Sequence, residues 1–152
     1  MTEDPSITAK LLRDRLDAGA IDLRVAGTSM GTDIPTGSIV SLTPARRPRV
    51  GEIWAFVADD TTIVVHRLRS VDRAQVTGRG TANRVDDQPI PRDRLIGRVR
   101  ASRPPTGPPR RFGAPDRVRN ALLLRARGMA CSARPAAGWP APSSVRNLAV
   151  VT

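Results

Sequence analysis

Residues 52–68 read Glu52-Ile53-Trp54-Ala55-Phe56-Val57-Ala58-Asp59-Asp60-Thr61-Thr62-Ile63-Val64-Val65-His66-Arg67-Leu68. Two runs of β-branched and aromatic residues flank the polar pair Asp59-Asp60. That pattern predicts a β-hairpin with strands over 52–57 and 61–68. Shorter strand signals lie on both sides. Upstream, Ile21, Leu23 and Val25 alternate with polar residues, as a half-buried strand does, and Gly27 ends the run. Residues 39–42 follow the turn Pro35-Thr36-Gly37. Downstream, 75–77 and 95–99 are further short apolar runs. Many short strands separated by turn signals predict a mostly β domain over about 20–100.

The two ends differ in character. Ile7, Leu11, Leu12 and Leu16 recur at helical spacing, which predicts a short helix over 6–18 with Ser6 as its cap and Gly19 as its stop. Beyond residue 102, Arg103-Pro104-Pro105-Thr106-Gly107-Pro108-Pro109 reads as a linker. Residues 116–130 form a candidate basic helix, with Val118, Ala121, Leu122 and Leu124 as a narrow apolar stripe beside Arg117, Arg119, Arg125 and Arg127. Such a helix can lie on an anionic membrane surface or pack weakly on the β domain. Residues 133–144, rich in Ala, Pro, Gly and Ser, have the composition of a flexible tail. The expected organisation is an N-terminal helix over 1–20, a β core over 21–101, and a Pro/Arg-rich linker and tail over 102–152.

The 152 residues carry 25 basic and 14 acidic side chains, a net charge of +11. Lys10 is the single lysine; the other basic residues are arginine. A basic chain favours anionic surfaces. Four aromatic residues (Trp54, Phe56, Phe112, Trp139) offer little for base stacking, so nucleic acid is not an expected partner. Cys131 is the only cysteine, which rules out an intrachain disulfide. One Cys and one His are poor material for a metal site, and no metal or other cofactor is expected. No run of 18 apolar residues marks a transmembrane helix, and the N-terminus lacks the basic-then-apolar order of a signal peptide. The expected location is cytoplasmic or peripheral at a membrane.

Three segments carry candidate chemistry. Ser29 lies in the glycine-led turn Gly27-Thr28-Ser29-Met30. His66, the only histidine, lies inside the second strand of the hairpin. Asp86 and Asp87 close the loop Gly80-Thr81-Ala82-Asn83-Arg84-Val85-Asp86-Asp87. A serine, an imidazole and a carboxylate at strand edges are the parts of a nucleophile–base–orienter set. A serine hydroxyl needs a base to take its proton. Histidine serves near neutrality at its ordinary pKa of about 6.5. A lysine base is hard to supply, because no lysine follows Ser29. A half-buried histidine satisfied by a backbone carbonyl is the ordinary structural alternative.

Taken together, these segments resemble the S26 family of type I signal peptidases, within the S24/S26 peptidase superfamily. The family's nucleophile box runs Gly-x-Ser-Met-x-Pro-Thr-(apolar)-x-x-Gly-Asp-x-Val. This chain has Gly27-Thr28-Ser29-Met30, with Ile34, Gly37 and Val40 in register. Gly51-Glu52-Ile53-Trp54 looks like the family's Gly-Asp-Ile-Val. Val64-Val65-His66-Arg67 matches an apolar pair followed by His-Arg. Residues 80–87 resemble Gly-Asp-x-Asn-x-x-Asp-Asp, and Ile96-Gly97-Arg98-Val99 resembles the closing strand. The chain departs from the pattern at Thr32 (proline expected), Asp33 (threonine), Ser38 (aspartate) and Thr81 (aspartate). These changes bear on turn geometry more than on chemistry.

The His-Arg box is similar to the serine–histidine branch of the family. The resemblance implies a β-barrel-type catalytic core like that of signal peptidases and LexA-like self-cleaving repressors. It implies Ser29 as nucleophile, His66 as general base and Asp87 as orienter, with Asp86 the alternative. The Ser29 backbone N–H, in the turn led by Gly27, would serve the oxyanion, and Met30 and Arg67 would support the site. The implied activity is serine endopeptidase cleavage of a leader or signal segment from a precursor protein through an acyl-enzyme. Family members are normally anchored by a transmembrane helix, which this sequence lacks. Access would then come through a soluble precursor, the basic tail on an anionic membrane, or a membrane partner. The alternative is a catalytically degenerate domain of the same fold acting as a peptide-binding module.

Overall fold

A computed structural model describes residues 4–45, 47–58, 62–113, 122 and 149–150. Helix α1 spans Pro5–Ala18. Its cap is Asp4, not Ser6: the Asp4 carboxylate accepts the Ser6 N–H at 2.8 Å. Pro5 explains the shift. A proline at the first helical position gives up no hydrogen bond and arrives with helical φ, so the helix begins one residue before Ser6. Ala9 and Leu16 are buried and Leu12 packs beside them, whereas Ile7 and Leu11 face outward at 59% and 63% exposure. The stripe that docks is therefore narrower than the predicted one. Arg13 fastens the helix by donating to the carbonyls of Asp93 and Leu95.

The strands are β1 (Ile21–Val25), β2 (Ile39–Thr43), β3 (Ile53–Val57), β4 (Ile63–Val71), β5 (Gln75–Arg79), β6 (Ile90–Pro91), β7 (Leu95–Arg103), β8 (Arg110–Arg111) and β9 (Ala149–Val150). A short 3-10 turn, Arg92–Arg94, joins β6 to β7. The sheet order is β3-β7-β2-β1-β9-β4-β5-β6. β3 also pairs with β4, and β8 with β7. Because β3 bonds to both β7 and β4, the sheet curls into a half-barrel rather than lying flat. The pairs are antiparallel except those of β9, which runs parallel to β1 and β4.

All five residues of β3 are buried. A strand with both faces covered has no polar side to alternate with, so its sequence reads as a continuous apolar run. Ile53, Ala55 and Val57 join β1, β2, β7 and α1 in one cluster. Trp54 and Phe56 join Val64, Leu68, Val76, Ile90 and Leu95 in a second, on the opposite face. Side chains alternate across a strand. In β4, His66 lies opposite Trp54 in register and thus on the second face, and Arg67 lies on the first.

Several predicted boundaries move. β4 continues to Val71, and the turn to β5 is built on Asp72, whose carboxylate accepts the N–H of both Ala74 and Gln75 at 2.8 Å. These bonds hold the exposed Asp72 carboxyl below its ordinary pKa. β7 runs to Arg103, and the proline-rich stretch after it is a hairpin connection rather than a linker. Prolines cannot donate to a ladder and so fit a connection; Arg110 and Arg111 then resume pairing opposite Ser102 and Ala101. The candidate helix over 116–130, Leu122 apart, and the Ala/Pro-rich stretch over 133–144 lie outside the described residues. Among the described residues, no helix is long and apolar enough to cross a membrane.

Leu16 is 2% exposed at the junction of α1 with the sheet. Leu16→Ala is expected to cost about 2–5 kcal/mol of unfolding free energy in urea denaturation. A cost near zero would show that the helix is not part of the core.

Candidate active site

Ser29 sits in an irregular loop between β1 and β2. The loop's base is closed by Val25 and its partners: Val25 N–H donates to Ser38 O at 2.9 Å, and Gly37 N–H to Val25 O at 2.8 Å. Within it, the Gly31 N–H reaches back to Thr28 O and the Asp33 N–H to Met30 O, two consecutive tight turns. Met30 and Ile34 are fully buried in the first cluster. With those two side chains sunk into the core, the half-exposed Ser29 is left at the surface of the loop. Met30 therefore acts as an anchor for the turn. Gly27 carries its own tie, its carbonyl accepting the Thr36 hydroxyl at 2.7 Å.

His66 is completely buried in β4. Ser29 Oγ lies 2.8 Å from His66 Nε2, and Asp87 Oδ2 lies 2.6 Å from His66 Nδ1. The proton positions follow from the partners. An ionised carboxylate only accepts, so Nδ1–H donates to Asp87, which leaves Nε2 to accept the Ser29 hydroxyl. The edge of Phe56 meets the imidazole at 6.2 Å and 72° between rings, fixing its plane from the second core. Asp87 is 10% exposed and also tied through its backbone, its N–H donating to Gly78 O at 2.8 Å. Asp86 points elsewhere and pairs with Arg69 at 3.2 Å and Arg79 at 3.5 Å. Of the two acids, Asp87 is the one on the imidazole.

Two glycines allow the three segments to come this close. A Cβ on Gly80 would stand 2.5 Å from the carbonyl oxygen of Ser29 and 2.7 Å from its Cβ. The contact is with backbone, which cannot swing aside. The Ala82 N–H, two residues on, donates to that same Ser29 carbonyl at 2.7 Å. A Cβ on Gly78 would stand 2.8 Å from the Asp87 carboxylate and 3.3 Å from the His66 Cβ. The sequence signal for both is Gly78-Arg79-Gly80, two glycines at a strand end beside the acidic loop. Their role was not read from it.

Arg67 is nine-tenths buried on the opposite face of β4. It donates to Gly51 O at 2.8 Å and to Asp33 Oδ2 at 3.0 Å. Thr81 donates to the same Asp33 oxygen at 2.9 Å, and Arg110 lies 3.5 Å from the other. Burial pushes the Asp33 carboxyl up, but the Arg67 and Thr81 hydrogen bonds and the two guanidinium charges outweigh it and hold it below its ordinary value. Asp33 and Arg110 were not among the candidate residues. Asp33 was legible only as a departure from a motif, and Arg110 lies just past the stretch 103–109 that reads as a linker. Among the described residues, no three His, Cys, Asp or Glu side chains group as a metal site would require.

A scan against protein-family models, a search of curated proteins and a search of solved structures each returned no match. The functional reading therefore stands on the residues and their geometry.

A carboxyl with a depressed pKa contributes stability above its unfolded value and loses that contribution as pH falls through its folded value. Asp33→Asn is expected to be less stable than the parent at neutral pH. The gap should close as pH drops below 3.8, the ordinary carboxyl value. Urea denaturation of both proteins across the acid range checks this. A gap that persists unchanged into acid would show that the Asp33 charge contributes nothing.

Proposed function

We propose that this chain is a serine endopeptidase that removes a leader or signal segment from a precursor protein. The observation that carries the reading is the continuous hydrogen-bonded chain Ser29 Oγ–His66 Nε2 and His66 Nδ1–Asp87 Oδ2. Its order and atom choice are those of a nucleophile, a general base and an orienter. Four motifs in sequence order that resemble those of the S26 signal peptidases, the His-Arg box resembling the serine–histidine branch, support the same reading. So does a mostly β, curled sheet. On this reading the curled sheet is a signal-peptidase-like barrel core.

In this reaction the Ser29 Oγ attacks the scissile carbonyl while His66 Nε2 takes the hydroxyl proton. The imidazolium that forms is stabilised by the Asp87 carboxyl, which holds the ring in place. The S26 resemblance assigns the backbone N–H of Ser29 to stabilising the developing oxyanion. His66 then gives its proton to the leaving amine, and the new N-terminus departs, leaving the acyl group on Ser29. A water molecule, giving its proton to His66, attacks the ester; His66 returns that proton to Ser29 Oγ as the acyl–oxygen bond breaks and the carboxylic acid product leaves. No cofactor enters these steps. Ser29 is half exposed while His66 is fully buried. The nucleophile thus meets substrate at the surface, and the base works from a site shielded from bulk water. The substrate is a precursor or leader peptide, met in the cytoplasm or at a membrane surface to which the basic chain is drawn.

Digestion of a proteome-derived peptide library, read by mass spectrometry, tests the proposal. The parent protein should generate new termini at a defined sequence context. Ser29→Ala and His66→Ala should each reduce cleavage on the order of 10⁴-fold or more while remaining folded by circular dichroism. Equal cleavage by the parent and Ser29→Ala would sink the mechanism. Peptides captured but left uncut would point to the peptide-binding module instead.

A further inference from the structure

Ser29, His66 and Asp87 come from three separate segments, and two of those segments are loops. The Ser29 loop has no regular secondary structure between β1 and β2, and neither does the 80–89 segment before β6. A productive hydrogen-bond chain requires these loops to hold their position on β4 to a fraction of an ångström. The backbone tie from Ala82 to Ser29 joins the two loops to each other. It does not join them to the strand that carries the base.

We infer that Asp33 is the positioning residue that locks the nucleophile loop and the Asp87 loop onto the His66 strand. One carboxylate oxygen, Oδ2, accepts a hydrogen bond from Arg67 at 3.0 Å and from Thr81 at 2.9 Å. Asp33 is four residues after Ser29, Arg67 immediately follows His66, and Thr81 is six residues before Asp87. Each arm of the junction therefore leads directly to one member of the catalytic set. Arg67 is rigid because its other contact is the Gly51 carbonyl and its side chain is only 9% exposed. Its neighbour His66 projects to the other face of the same strand, so a shift at one is a shift at the other. Arg110 closes the junction from outside. It donates to the carbonyls of Thr32 and Asp33 at 3.3 and 3.4 Å and pairs with Asp33 Oδ1. The β7–β8 hairpin, which carries Arg110, is thus part of the site's scaffold.

Two departures from the S26 pattern now fall together. The pattern places threonine where Asp33 stands and aspartate where Thr81 stands. Here the two side chains are hydrogen-bonded to each other. Relative to that pattern the acid and the hydroxyl stand in each other's places, and here the Thr81 hydroxyl and the Arg67 guanidinium both meet Asp33 Oδ2. An exchange of this kind is what a single shared interaction tolerates; two independent losses would leave the buried guanidinium without its charge partner.

The inference rests on the proposed Ser29 chemistry, and the experiment separates the two. The rate of covalent labelling at Ser29 by a fluorophosphonate probe is measured by intact mass for the parent, Asp33→Asn, Asp33→Thr, Thr81→Asp and the double variant Asp33→Thr/Thr81→Asp. Each single variant should label on the order of 10- to 100-fold more slowly. The double variant should recover to within about threefold of the parent, since paired residues couple rather than add. Circular dichroism establishes folding. If Asp33→Thr is too unstable, Asp33→Asn, which keeps shape and an acceptor oxygen, carries the single-variant comparison. No labelling of the parent at Ser29 would refute the Ser29 reading, and the positioning role with it. A labelled parent with Asp33→Asn labelling just as fast would overturn the positioning role alone. So would a double variant no faster than its slower single parent.

Discussion

An imidazole removed from water needs a partner for each ring nitrogen, because an unsatisfied buried polar atom costs about 1–3 kcal/mol. His66 is buried to 0% exposure. It lies in a strand covered by hydrophobic clusters on both faces, so water cannot supply those partners. The rest of the architecture follows from that constraint. Two loops must converge on β4 from different directions, one bringing a hydroxyl to Nε2 and the other a carboxylate to Nδ1. Where they converge, a Cβ at Gly80 would collide with the Ser29 backbone, and one at Gly78 would crowd the Asp87 carboxylate and the His66 side chain. Each ring nitrogen thus has one partner, Asp87 at Nδ1 and Ser29 at Nε2.

The site is held from two sides of one strand. On the second face, Phe56 and the aromatic cluster set the imidazole plane. On the first, Arg67 and Asp33 hold the loops. A catalytic geometry carried on loops is imprecise unless other contacts immobilise it. Here the immobilising contacts are charged, partly buried and shared among four chain segments. The β7–β8 hairpin belongs to this frame through Arg110.

Much of this was legible in the residues. The apolar runs at 53–57 and 63–68 announced a hairpin because both strands are buried on both faces. The alternation of Ile21, Leu23 and Val25 announced a strand with one wet side, and its burial pattern alternates accordingly. His66 could be named because it is the only histidine and no lysine follows Ser29; Ser29 and Asp87 could be named because their segments resemble the S26 boxes. The residues alone did not choose between Asp86 and Asp87, and the resemblance put Asp87 first; adjacent acids look alike until a neighbour such as Arg69 claims one of them. The cap at Asp4 was missed because Pro5 moved the helix start. The hairpin over 104–109 was missed because its prolines resemble a linker, and pairing of Arg110 and Arg111 is a tertiary event. Asp33 was hidden for the same reason. Its partners are 34, 48 and 77 positions away, and no local pattern encodes them.

The most direct measurement is the site and base-dependence of covalent capture. The parent protein and His66→Ala are each incubated with a fluorophosphonate, and the adduct is mapped by peptide mass spectrometry. A single adduct on Ser29, formed at least about 100-fold more slowly without the imidazole, is the predicted result. Labelling at another residue, or at Ser29 with equal speed in His66→Ala, would contradict a Ser29 nucleophile activated by His66.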